Sequence, residues 1–169
     1  RTQLTMYAKS LARRGFSCFS VDYRLAPKDK SPAQIEDCRD AVRWIRQNAA
    51  KHKTDSNRIG AIGYSAGGHL VSLLATTGLS KADDPKGIGT RIAVAVAGGA
   101  PTDFRPTREN SKALSFWLGG SRKNKPQIYH SASPTAFVDK DDAPVFFFNG
   151  STDMFVPVKT HRTIGYAGP

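Results

Sequence analysis

Gly63-Tyr64-Ser65-Ala66-Gly67-Gly68 is the stretch whose reading decides how this chain folds. It contains Gly-x-Ser-x-Gly, and its flanks give the pattern meaning. Arg58-Ile59-Gly60-Ala61-Ile62 before it reads as a short buried strand. Residues 66–77 after it read as a helix, with apolar Leu70, Val71, Leu73 and Leu74 and a stop at Gly78. A serine on so sharp a strand-to-helix turn takes a strained backbone, so Gly63 and Gly67 are expected to leave room where the chain passes close to itself. Such a turn lifts the Ser65 hydroxyl above the sheet edge and aims the Ala66 amide at the same point. The helix N-terminus behind them favours developing negative charge. A glycine-rich turn with an incidental serine is the plainer alternative; the strand before and the helix after favour a nucleophile.

Working outward, Leu4, Tyr7, Ala8, Leu11 and Ala12 recur at helical spacing within residues 2–14, and Gly15 closes the pattern. Residues 16–23 read as a strand of aromatic and small side chains, and 24–30 as a loop around Pro27. Ser31-Pro32 opens the clearest helix: Ser31 as cap, Pro32 in the first turn, Gln34 completing a capping box. Its stripe of Ile35, Cys38, Val42, Ile45 and Ala49 turns one face to the core. Downstream, 81–90 is a polar loop holding Asp83-Asp84-Pro85. Residues 92–96 form a continuous apolar run, the mark of a strand buried on both faces, and 145–148 read as another buried strand. Residues 100–126 read as irregular and basic, with an apolar patch at Leu114, Phe116, Trp117 and Leu118. Helices alternating with buried strands predict a single α/β domain over residues 1–169, with a doubly wound, mostly parallel sheet and helices on both faces.

A chain of 169 residues is long enough for one domain with a sizeable core, and 39% apolar residues fit a globular protein. No apolar run approaches the length of a membrane span. The formal net charge of +11 raises nucleic acid as a partner. The basic residues are scattered, however, in Arg13-Arg14, Lys28 and Lys30, Lys51-His52-Lys53 and a loose group from Arg105 to Lys125. No helix carries a basic stripe with interleaved aromatics, so nucleic acid is not expected and solvated faces are the plainer reading. Cys18 in a predicted strand and Cys38 in a predicted helix make neither a disulfide framework nor a metal site; both read as small buried hydrophobes. The first residue is Arg1, so the lack of a leader decides nothing. The compartment stays open between secreted, periplasmic and cytoplasmic, and so does the oligomeric state.

Several ordered segments together resemble a known family: Asp22-Tyr23-Arg24-Leu25-Ala26-Pro27, residues 32–48, residues 57–74, and Pro101-Thr102-Asp103-Phe104. Ser133-Pro134, Asp141-Asp142-Ala143-Pro144 and Asn149-Gly150-Ser151-Thr152-Asp153 extend the match. The chain resembles the α/β-hydrolase carboxylesterases, within them the acetyl-xylan/feruloyl-esterase-like and hormone-sensitive-lipase-like branches. The resemblance implies an ester hydrolase working through an acyl-enzyme on Ser65, with the Ala66 amide in the oxyanion hole. In the family order of serine, acid, histidine it implies Asp153 as the acid. Read alone, Asp153 is a turn aspartate. The resemblance implies no metal or organic cofactor, and a small-molecule or carbohydrate ester as substrate, acetyl or feruloyl esters among them. The positive charge would suit an acidic polysaccharide. Two rival readings stand beside it. A prolyl-oligopeptidase-like serine peptidase shares the fold and a similar elbow, though the 22–27 run favours the esterase branch. A non-catalytic hydrolase-fold module, or an inactive fragment, is suggested by Gly165-Tyr166-Ala167-Gly168-Pro169, which breaks the helix expected after Val158.

The family's histidine is expected some tens of residues beyond the acid, and this sequence ends sixteen residues past Asp153. His161 lies too close to the acid. His69, one helical turn beyond Ser65, is expected to pack beside the site, while His52 and His130 fall in predicted loops. None of the four is expected to be the catalytic base. No His-Gly-Gly-Gly-like loop precedes the first helix. The strand leading into that loop would lie between the strand at 16–21 and the strand at 59–62. Without it, those two are expected to flank a gap of unpaired amides and carbonyls. The chain is therefore expected to be the central portion of a longer enzyme, with an incomplete α/β-hydrolase fold, and to be nearly inactive alone.

Overall fold

The structure is a computed structural model and describes residues 4–153 and Val156. The elements run α1 (Thr5–Ala12), α2 (Ala33–Gln47), β1 (Gly60–Tyr64), α3 (Ala66–Thr77), β2 (Val94–Gly98), α4 (Lys112–Leu118), α5 (Pro126–Ser131), a 3-10 turn at Pro134–Ala136, and β3 (Val145–Phe148). The described strands pair in parallel in the order β1-β2-β3, with Ala61 opposite Ala95 and Ala95 opposite Val145. Parallel neighbours need a crossover, and α3 supplies the one from β1 to β2. Because the three described strands run parallel, the segments leaving β1, β2 and β3 all emerge at one end of the sheet.

The core forms where α3 lies on the sheet and α2 lies on α3. Leu70, Leu73, Leu74 and Ala75 pack with Ile35 and Val42 from α2 and with Ile59, Ile92 and Ala95 from the sheet side. The expected stripe of α2 holds: Ile35, Val42 and Ala49 are buried, Cys38 and Ile45 partly so. Burial pushes the Cys38 thiol up to about 11, so it stays protonated at neutral pH. A second cluster joins Phe104, Leu118, Tyr129 and Ala132. Residues 100–126, expected to be irregular, thus contain α4 and the start of α5. The Ser111 side chain caps α4, and Gly119 ends it in the left-handed conformation. Leu118 is the buried anchor of the apolar patch, whereas Phe116 faces solvent.

Other expectations change. Residues 16–23 form no strand, and Phe16 is 61% exposed. A strand needs a neighbour to pair its amides and carbonyls, and among the described residues β1 has only β2 beside it. Among the described residues the sheet stops at β1, short of this segment, so the expected strand beside a gap is not formed. Cys18 lies in it and is exposed, not buried. The capping box at Ser31 and Gln34 is absent: Pro32 is the N-cap residue and no side chain caps the helix. Gln34 is buried and used elsewhere, donating from Nε2 to Asp29 O at 2.7 Å and accepting from Trp117 Nε1 at 3.2 Å. It ties α2 to α4. β1 and β2 begin two residues later than expected and run to Tyr64 and Gly98, where each still has a partner. Neither β2 nor β3 is buried on both faces among the described residues, since Val94 and Phe146 (64%) are exposed on the side away from α3.

Nothing in the sequence pattern marked the most buried ion pair. Arg43 of α2 grips Asp84 of the 81–90 loop through Nε at 2.9 Å and Nη2 at 2.7 Å. The amides of Gly89 and Lys86 also donate to that carboxylate, at 2.8 and 3.2 Å. The guanidinium beside it holds the Asp84 carboxyl well below the usual carboxylate range. The polar loop is thereby fastened to the back of α2.

Candidate active site

β1 passes straight into Ser65, and Ser65 straight into α3. Ser65 has φ +53° and ψ −118°, a conformation that costs a non-glycine residue on the order of 1–3 kcal/mol. Two backbone bonds hold it there: Ser65 N–H donates to Gly98 O at 2.8 Å, and Ser65 O accepts from His69 N–H at 2.9 Å. The turn also depends on missing side chains. A Cβ on Gly63 would fall 2.1 Å from Gly67 O, and one on Gly68 would fall 2.7 Å from Gly98 O. Gly67 has open space at that position. The tight pair is therefore Gly63 and Gly68, not Gly63 and Gly67 as expected; the sequence pattern marks three glycines but not which of them meets another backbone. Ser65 and Ala66 are exposed. The Ala66 amide belongs to the first turn of α3, whose N–H groups have no acceptor within the helix.

Asp153 follows β3 at the same end of the sheet. Its N–H donates to Gly150 O at 3.1 Å, and its Oδ1 accepts from Val156 N–H at 2.9 Å. Asn149 Nδ2 reaches Val156 O at 2.7 Å and closes the loop. The structure thus brings Ser65, Ala66 and Asp153 to one end. β1 and β3 are two strand spacings apart, roughly 10 Å.

The His69 backbone N–H bonds Ser65 O, but its ring is directed elsewhere. His69 is buried, its Nε2 lies 2.7 Å from Ala132 O, and its ring packs against Phe104 and Trp117 at 5.1 and 5.2 Å. A carbonyl accepts, so Nε2 carries the proton. Burial lowers the His69 pKa to about 4. Its folded value lies below the unfolded one, so the stability it contributes is present above about pH 6.5 and is lost as pH falls toward 4. NMR titration of the His69 ring should show one neutral tautomer from pH 8 to 5; a midpoint near 6.5 would contradict this placement. His52 packs with Phe19 and Trp44, and His130 lies against Phe137, in α5 and not in the loop expected for it. His161 lies outside the described residues. Among the described residues, no group of three or more His, Cys, Asp or Glu side chains is placed to hold a metal ion. No described helix is long and apolar enough to cross a membrane.

The BD-FAE family model matches residues 1–165. This chain belongs to the BD-FAE family. Among curated relatives, this BD-FAE chain is 32% identical to the esterase LipC of Mycobacterium tuberculosis, over 90% of its own length and 40% of that protein. It is 30% identical to the probable carboxylic ester hydrolase LipM of the same organism, over 90% of its length and 37% of the relative. An acetyl ester-xyloside bifunctional hydrolase from Caldicellulosiruptor lactoaceticus superposes with a TM-score of 0.79 at 28% identity, covering 95% of this chain and 58% of that one. Apo esterase 2 of Thermogutta terrifontis gives 0.78 at 26% identity, covering 96% and 59%. The BD-FAE chain therefore has the α/β-hydrolase fold in part and spans about 40% of the length of LipC and LipM.

Proposed function

We propose that residues 1–169 form one domain that carries the nucleophile and the acid of a serine carboxylic-ester hydrolase. The observation that carries the reading is Ser65 at φ +53°, its side chain exposed at the start of α3 and its backbone pinned by Gly98 and His69. In this reading Ser65 Oγ attacks the ester carbonyl while a histidine takes its proton. The Ala66 N–H donates to the oxyanion of the tetrahedral intermediate. Collapse breaks the C–O bond, the alcohol leaves with the proton from the imidazolium, and the acyl group stays on Ser65. Water then repeats the sequence and releases the acid. Asp153 holds the histidine in one tautomer and stabilises the imidazolium. The reaction so written uses no metal or organic cofactor.

The positions of His52, His69 and His130 support a histidine from outside the described residues. With His161 read as too close to the acid to serve it, a polypeptide of these 169 residues alone is expected to be nearly inactive, since loss of a triad histidine costs on the order of 10⁶ in kcat. Likeness to an acetyl ester-xyloside hydrolase supports acetyl esters of carbohydrates as substrates, with feruloyl esters as the second candidate. A fluorophosphonate probe tests the core of the reading. Peptide mapping of the labelled full-length protein should find the adduct on Ser65. An unlabelled Ser65 in folded protein would leave a non-catalytic module.

A further inference from the structure

Tyr64 is the last residue of β1 and stands directly before Ser65, yet it is 44% exposed. Register puts its side chain on the sheet face shared by Gly98 and Phe148, away from α3. Because Gly98 and Gly99 carry no side chains, the Tyr64 ring lies directly on the end of β2. A Cβ on Gly98 would fall 2.7 Å from Tyr64 Cδ2; one on Gly99 would fall 3.3 Å from Tyr64 Cζ and 3.4 Å from Asp153 Oδ2. The ring thus runs from Gly98, whose carbonyl accepts the Ser65 N–H, to Gly99, where the Asp153 carboxylate is its neighbour. Phe148 steadies it from β3, with the ring centroids 6.2 Å apart and the planes at 37°. No described residue hydrogen-bonds the Tyr64 hydroxyl. What Tyr64 offers at this place is an aromatic face.

We propose that Tyr64 is a positioning residue: its ring is the platform on which the histidine of the triad lies between Ser65 and Asp153. The proposal rests on the reading of Ser65 and Asp153 as nucleophile and acid. An imidazole that joins them has to cross the end of β2, and the Tyr64 ring is what covers β2 there. Contact with the ring fixes the plane of the imidazole. It also favours the charged form, because the negative face of an aromatic ring attracts a cation. The imidazolium forms only as Ser65 gives up its proton, so the ring stabilises the transition state more than the bound substrate and acts on kcat. Loss of such a contact lowers kcat by roughly tenfold. KM is spared, because the ring meets the histidine and not the substrate.

The test compares Tyr64→Phe, Tyr64→Leu and Tyr64→Met in the full-length protein, with p-nitrophenyl acetate as substrate and a melting curve for each. Phenylalanine keeps the aromatic face and gives up only the hydroxyl, so its kcat should stay within about twofold of wild type. Leucine and methionine fill the space without a π system. Each should fold, lose roughly tenfold in kcat and keep KM within about twofold. Wild-type kcat in either folded aliphatic variant would make position 64 a space filler and overturn the proposal. A loss in Tyr64→Phe as large as in Tyr64→Leu would place the effect in the hydroxyl, and a loss expressed in KM would place the ring against substrate; either overturns it. Unfolding of both aliphatic variants would make the ring a packing element, which overturns it too. Activity surviving in Ser65→Ala is a separate outcome: it removes the reading of the site itself, and the proposal falls with it.

Discussion

Ser65→Ala is expected to lower kcat for p-nitrophenyl acetate by about 10⁶ in the full-length protein while leaving the thermal midpoint within a degree or two of wild type. The first half follows from the proposed mechanism, in which Ser65 Oγ carries the acyl group. The second half follows from geometry. Alanine bears the same φ +53° as serine, so the backbone strain is unchanged, and the Ser65 side chain makes no capping hydrogen bond that its loss would forfeit. The backbone bonds to Gly98 and His69 remain. Steady-state kinetics and a melting curve on one preparation check both halves. A kcat within tenfold of wild type would show that Ser65 is only a turn residue.

Asp153→Asn is expected to cost about 10⁴ in kcat, the second largest effect. The amide keeps an oxygen that can accept from Val156 N–H, so the loop after β3 keeps its shape. What disappears is the negative charge. A neutral amide no longer stabilises the imidazolium and can hold the ring in the wrong tautomer. Asp153→Ala supplies the contrast, since it removes the loop bond as well and should lower the thermal midpoint, which Asp153→Asn should not. A loss of less than about 100-fold in Asp153→Asn would move the acid to another carboxylate.

Much of this organisation was legible in the sequence because it depends on neighbours along the chain. The periodicity of residues 66–77 and the stop at Gly78 define α3 to the residue, and the run at 145–148 is β3. The stripe of α2 and the placing of Ser65 rest on the same local signals. What failed to read depends on partners far away in sequence. Residues 16–23 have strand composition, yet composition supplies no neighbour for their amides and carbonyls. Gln34 has the spacing of a capping box, but Asp29 and Trp117 claim its side chain. Asp84 looks like any loop carboxylate until Arg43 is folded against it. Three glycines around Ser65 read alike, and only the packing of backbone on backbone separates Gly63 and Gly68 from Gly67. The family's motifs brought Asp153 into view; its nearness to Gly99 became visible only when β2 was placed between β1 and β3.

Among the described residues the outer edge of β1 has no strand beside it, which bears on how the chain behaves in company. Gly60-Ala61-Ile62-Gly63-Tyr64 carries no lysine, proline or other charge, the usual devices by which an edge strand refuses a second chain. Among the described residues, one row of its backbone groups has no strand to answer it. Any polypeptide that folds this far and no further presents a ready template to its own copies. Covering that edge, and not only the net charge of +11, then bears on self-association.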